Sequence, residues 1–222
     1  MVAMSISPIE RISLLGTPLS LCDRAALLTF IHKAAIQKQP ITILSGNIYA
    51  YNLAYEHPWL RAFFNQADVV RLDGAGVWLG ARILGHITPP RMTWADFGWD
   101  LAEMAARNGH TLFLLGSKPG IAEKAARKLK ERYSDLQIVG THHGYFDKAR
   151  DSAENQAVIQ MIAEAQPDIL IVGFGMPLQE RWLSETREVL AATVVLTGGA
   201  VFDYISGELR RGPKWMTDHG LE

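Results

Sequence analysis

Asp73 closes the run Val69-Val70-Arg71-Leu72 and is followed at once by Gly74. If that run is a strand, its terminal carboxylate can take a proton from an incoming hydroxyl. The same aspartate can equally cap the next helix, and residue type alone does not separate the two roles. Arg91, in Pro89-Pro90-Arg91-Met92-Thr93, lies on a stiff proline-led loop that can hold a guanidinium over a diphosphate leaving group. Most loop arginines are merely solvated, so Arg91 alone decides little. In Pro177-Leu178-Gln179-Glu180-Arg181-Trp182 a proline opens a helix and places Gln179 and Glu180 in its first turn. Helix solubility and capping explain Glu180 as readily as ligand binding does.

Five polar or glycine-rich turns accompany these side chains: Ser45-Gly46-Asn47, Asp73-Gly74-Ala75-Gly76, Gly116-Ser117, Gly173-Phe174-Gly175 and Thr197-Gly198-Gly199. Glycine lets backbone approach a ligand closely, and a helix that starts just after the turn offers free N–H groups to a phosphate. Any one such turn is explained by chain reversal alone. Five on one rim of a sheet make a diphosphate-bearing ligand the expectation.

The elements that must position these groups follow from periodicity. Short apolar runs at Ile41 to Leu44, Val69 to Leu72, Thr111 to Leu115, Gln137 to Val139, Ile169 to Val172 and Thr193 to Leu196 read as strands buried on both faces. Helical spacing separates them, most clearly over Ile121 to Tyr133, where Ile121, Ala125, Leu129 and Tyr133 share a stripe. Alternation of this kind predicts an α/β fold, a Rossmann-like layered sheet of mainly parallel strands with helices on both faces and ligands at the carboxyl ends of the strands. Arg11 to Leu21, with Gly16 and Pro18 between apolar runs, suggests a hairpin ahead of the first helix.

Composition narrows the function classes. Twenty-two basic and 23 acidic side chains nearly cancel, so no global field draws the chain to nucleic acid or to an anionic bilayer. Cys22 is the sole cysteine, which excludes an internal disulfide and a multi-cysteine metal site, and it reads as a small buried apolar residue. His142-His143 is only superficially a metal pair, because neighbours on a strand point to opposite faces, and no metal is expected there. Met1 to Glu10 lacks the pattern of a secretory signal and no stretch of about 18 apolar residues occurs, so a cytoplasmic protein is expected. The turn Gly173-Phe174-Gly175 continues with Leu178 where a dinucleotide fingerprint needs its third glycine. That disfavours an NAD-dependent oxidoreductase. Near the end of the chain, Gly207 to Met216 combines three cations with Trp215 and Met216, a mixture suited to anionic lipid or diphosphate, or simply to an ordinary surface.

Taken in order, Asn47, the stretch from Ala67-Asp68 to Asp73-Gly74-Ala75-Gly76, Arg91, Phe113-Leu114-Leu115-Gly116, Gly144-Tyr145-Phe146, Pro167-Asp168 through Gly173-Phe174-Gly175-Met176-Pro177-Leu178-Gln179-Glu180, Thr197 to Asp203 and Arg211-Gly212-Pro213-Lys214-Trp215 resemble the WecG/TagA/CpsF glycosyltransferases. The resemblance spans roughly Ile12 to Glu222. It implies a GT-E type fold in one domain, residues 1–222, and an inverting, metal-independent transferase without a cofactor. The implied donor is a UDP-sugar, often N-acetylmannosamine or its uronic acid, and the implied acceptor a polyprenyl-diphosphate-linked sugar. Products of such enzymes feed surface polysaccharide, enterobacterial antigen or wall teichoic acid linkage.

By the same resemblance Asp73 matches the proposed general base, Ser45 and Asn47 fall where the family places threonine and asparagine, and Arg91 and Gln179 match further pocket residues. Gly74, Gly116, Gly175, Glu180, Gly198 and Gly199 complete the expected substrate-binding set on the rim. The implied location is peripheral to the cytoplasmic face of the inner membrane; no nucleic-acid partner is expected, and a homo-oligomer is compatible with the pattern. Family members usually continue past Gly220-Leu221-Glu222 with a membrane-contacting appendage, which this sequence is expected to lack. A non-catalytic nucleotide-sugar-binding module is the alternative.

Overall fold

A computed structural model describes residues 9–210. The chain opens with β1 (Arg11–Leu14) and β2 (Thr17–Ser20), an antiparallel hairpin whose two turn residues, Leu15 and Gly16, are both left-handed (φ 52° and 76°). Left-handed geometry at both positions matches the twist of the flanking strands. Then follow α1 (Arg24–Gln37), β3 (Ile41–Gly46), α2 (Ile48–Glu56), α3 (Pro58–Gln66), β4 (Val69–Leu72), α4 (Ala75–Ile83) and α5 (Trp94–Asn108). The remaining elements are β5 (Thr111–Gly116), α6 (Ile121–Arg132), β6 (Gln137–His142), α7 (Ala153–Ala165), β7 (Ile169–Gly173), α8 (Leu178–Thr186), β8 (Val194–Thr197) and α9 (Val201–Ser206).

The eight strands form one sheet in the order β1-β2-β4-β3-β8-β7-β5-β6, parallel except for the β1–β2 pair. Side chains alternate across it with period two. Ile41, Ile43, Val69, Leu112, Leu114, Ile169, Ile171, Val194 and Leu196 pack under α1, α5, α6 and α9. Leu44, Val70, Phe113, Leu115, Leu170, Val172 and Val195 pack under α2, α3, α7 and α8. A smaller cluster at the hairpin edge joins Leu19, Leu72 and Tyr51 to Val77 and Ala81 of α4. The expected layered α/β architecture is therefore present. One expectation needs correction: β6 is an edge strand with Gln137 and Val139 exposed, because only β5 pairs with it. Among the described residues no helix is long and apolar enough to cross a membrane.

Close backbone approach fixes one glycine. A Cβ at Gly116 would stand 2.3 Å from the carbonyl oxygen of Gly173. The ends of β5 and β7 can run side by side only if that position carries no side chain.

Candidate active site

Where adjacent parallel strands send their following helices to opposite faces of a sheet, a crevice opens between their carboxyl ends. β3 leads into α2 on one face and β8 into α9 on the other. Between them lies a cleft of about 710 Å³, lined by Ser45, Asn47, Asp73, Gly74, Arg91, Gln179, Gly198 and Gly199 among others. Eight of the eleven residues singled out in the sequence thus meet in one place.

Asp73 does not cap α4, whose N-cap is Gly74 without a side-chain hydrogen bond. Its Oδ2 instead accepts from Nη2 of Arg71 at 2.8 Å, and 18% of the side chain remains exposed. Arg71 itself is completely buried. Its Nη2 also donates to Ser45 Oγ at 2.9 Å, its Nη1 donates to the Met92 carbonyl, and its guanidinium lies 4.6 Å from the Trp94 ring centroid. Burial pulls the Arg71 pKa down while the neighbouring Asp73 charge pushes it back up. Ser45 Oγ donates to the Thr197 carbonyl at 3.1 Å, and Trp94 Nε1 donates to the same carbonyl at 2.9 Å. Serine in the first pocket position is therefore part of the cleft floor, with its hydroxyl shared among β3, β4, β8 and α5.

The opposite wall comes from α8. Gln179 lines the cleft, accepts from the Gly199 N–H through Oε1 at 3.1 Å, and donates through Nε2 to Glu180 Oε1 at 2.8 Å. Glu180 is fully buried behind it and is not part of the lining. The placement of Glu180 as a substrate contact is thus corrected, as is its alternative as a solvated first-turn carboxylate. Desolvation pushes the Glu180 carboxyl up to about 7, partly offset by the Gln179 amide and by its own backbone N–H.

Asn47 caps α2 by accepting from Ala50 N at 2.9 Å while its side chain borders the cleft. Gly175 lines a smaller depression of about 250 Å³ with Ser117, Lys118, Tyr145 and Asp203, which shares Gly199 and Ala200 with the main cleft. Gly116 lines neither space, and its close contact with Gly173 already requires a glycine there. His142 and His143 do not point to opposite faces: β6 ends at His142, the chain turns, and the two rings stand 4.4 Å apart. Among the described residues no group of three or more His, Cys, Asp or Glu side chains could hold a metal ion. Cys22 is buried, which pushes its thiol up to about 11. Of the cationic stretch Gly207 to Met216, residues from Arg211 onward lie outside the described residues.

Sequence reasoning missed Arg71, Trp94 and Tyr204, and named Thr197 only as part of a rim turn. Arg71, Trp94 and Thr197 form the cleft floor or the layer beneath it, and Tyr204 of α9 lines a wall. A usable signal existed for Arg71: a charged residue inside an apolar run of a doubly covered sheet is rarely buried without a partner.

The model for the family described as "Glycosyl transferase WecG/TagA/CpsF family" matches residues 12–222. A protein of Bacillus subtilis (strain 168), named N-acetylglucosaminyldiphosphoundecaprenol N-acetyl-beta-D-mannosaminyltransferase, is 29% identical over 158 residues, 71% of this chain and 59% of that one. A protein of Staphylococcus aureus (strain NCTC 8325 / PS 47) with the same name is 28% identical over 171 residues, 77% of this chain and 65% of that one. The match thus spans about three fifths of the length of these relatives. With the family's sequence pattern running through nearly all 222 residues and its expected residues gathered in one cleft, the chain belongs to the WecG/TagA/CpsF glycosyl transferase family.

Proposed function

We propose that the cleft transfers an N-acetylmannosamine-type sugar from a UDP-sugar to a polyprenyl-diphosphate-linked N-acetylglucosamine, with inversion and without a divalent ion. The relatives' names supply the acceptor and sugar classes; the UDP donor, inversion and metal independence belong to this proposal. In it the acceptor hydroxyl oxygen attacks the anomeric carbon, the bond to the diphosphate oxygen breaks, and the hydroxyl proton passes to Asp73. A single displacement from the opposite face inverts the anomeric centre. Charge growing on UDP is met by Arg91 and by rim N–H groups.

One observation carries this reading: Asp73 stands in the cleft with Oδ2 occupied by Arg71, so Oδ1 is the oxygen open to an incoming hydroxyl. A base so placed contributes roughly 10²- to 10⁴-fold. The neighbouring depression at Ser117 and Gly175 shares Gly199 and Ala200 with the cleft, and in this proposal the two adjoining spaces divide the nucleotide and the sugar between them. Exposed Ile48 and Tyr49 at the cleft mouth, with Ile83 and Ile87 on and after α4, supply apolar surface for a lipid-borne acceptor at the cytoplasmic face of the inner membrane. In this proposal the 222 residues act as one domain.

The test is Asp73→Asn, which keeps the shape and removes the proton acceptor. Transfer should fall at least about 100-fold with UDP-sugar binding, read by thermal stabilisation, retained. Unchanged turnover rejects the base.

A further inference from the structure

We infer that Arg71 is a positioning residue for the transfer, fixing Asp73 by one carboxylate oxygen so that the other faces the acceptor. The inference rests on the reading of Asp73 as base given above.

Packing alone gives no reason for an arginine here. Its strand neighbour on the same face, Val69, is apolar and fully buried, and a guanidinium at zero exposure is strongly disfavoured unless its partners repay the lost water. Its hydrogen-bond partners all belong to the cleft or flank it. Asp73 and Ser45 line it, Trp94 forms its floor, and Met92 lies between Arg91 and Thr93, which both line it. A planar fork that grips three acceptors from β3, β4 and the 84–93 loop sets their relative positions in a way a flexible ammonium cannot. Nε is the one nitrogen of the fork without a partner among the described residues.

The experiment compares wild type, Arg71→Met, Arg71→Lys and Asp73→Asn in transfer from UDP-N-acetylmannosamine to a polyprenyl-diphosphate-linked N-acetylglucosamine. Arg71→Met should lower kcat by about 10- to 100-fold and change KM for the donor by less than about threefold. Arg71→Lys should recover only part of kcat, because it returns the charge without the fork. Wild-type kcat in Arg71→Met, with the damage confined to thermal stability, overturns the inference. If Arg71→Met does not fold, Arg71→Lys decides: wild-type kcat overturns the inference, reduced kcat with an unchanged donor KM supports it. Asp73→Asn separates the two claims, since full activity in that variant removes the base itself, whereas an inactive Asp73→Asn beside an unaltered Arg71→Met removes only the role of Arg71.

Discussion

Glu180→Gln offers a quantitative test of the buried layer behind the cleft. In the folded protein Glu180 Oε1 accepts from Gln179 at 2.8 Å, and Oε2 has no partner among the described residues. Burial raises its carboxyl from 4.5 to about 7. A carboxyl whose folded-state pKa is raised makes its full contribution to stability below the unfolded value, and that contribution is lost as pH climbs through the folded one. Between pH 5 and pH 8 the wild type should therefore lose about 2 to 3 kcal/mol from this group, at 1.36 kcal/mol per pH unit. Glutamine does not titrate. Its amide hydrogens at the Oε2 position add a constant cost, independent of pH.

The quantity to measure is the stability of Glu180→Gln minus that of wild type, from urea unfolding followed by far-ultraviolet circular dichroism at pH 5, 6, 7 and 8. Every other titrating group is common to both proteins and cancels. The difference should rise by about 2 to 3 kcal/mol in favour of the variant from pH 5 to pH 8. Parallel stability curves, flat to within about 0.5 kcal/mol, would refute the reasoning, because they require Glu180 to bury its charge without penalty.

Two further outcomes follow from the framework around the site. Gly116→Ala places a methyl 2.3 Å from the Gly173 carbonyl oxygen, a backbone clash no rotamer relieves, and should cost about 3 kcal/mol or more, lowering the melting temperature by roughly 10 °C. Asp168 accepts from Lys38 at 2.6 Å, from Thr111 N at 3.0 Å and from the Thr111 hydroxyl at 3.2 Å; burial alone would raise its pKa, but these partners outweigh it and bring it below the usual value. Asp168→Ala should therefore cost about 2 to 3 kcal/mol at pH 7, and the gap to wild type should close as pH falls through the range where the wild-type carboxyl protonates.

Strands and their order of use were legible because a doubly covered sheet writes itself as uninterrupted apolar runs, and the five glycine turns marked its rim. The hairpin was legible from Gly16 and Pro18 between apolar stretches. Glu180 was not, although Gln179, Leu183 and Thr186 recur at helical spacing and are all buried, a stripe that shows which way the first turn of α8 faces. Reading polar residues in a first turn as solvated hid that stripe. His142 and His143 were misplaced because the argument from strand alternation assumed that the strand continued through both residues, whereas it stops after the first. Gly116 was credited to ligand approach when its neighbour strand already demanded it, and sequence cannot tell a glycine needed for a ligand from one needed for a crossing backbone.

The end of β8 links the two walls of the cleft. On one side the Thr197 carbonyl accepts from both Ser45 and Trp94, whose other contacts run to Arg71 and so to Asp73. On the other, the Gly199 N–H donates to Gln179, which in turn holds Glu180. A cation lies under the first wall and a carboxyl whose ionisation burial disfavours lies under the second, so residues that do not line the cleft add to the field of Asp73 and Arg91, which do. Low dielectric strengthens such buried contacts and raises the cost of breaking them. Substitutions beneath either wall should accordingly act on the cleft through geometry and charge at once, so activity and its split between kcat and KM separate these roles where melting temperatures alone do not.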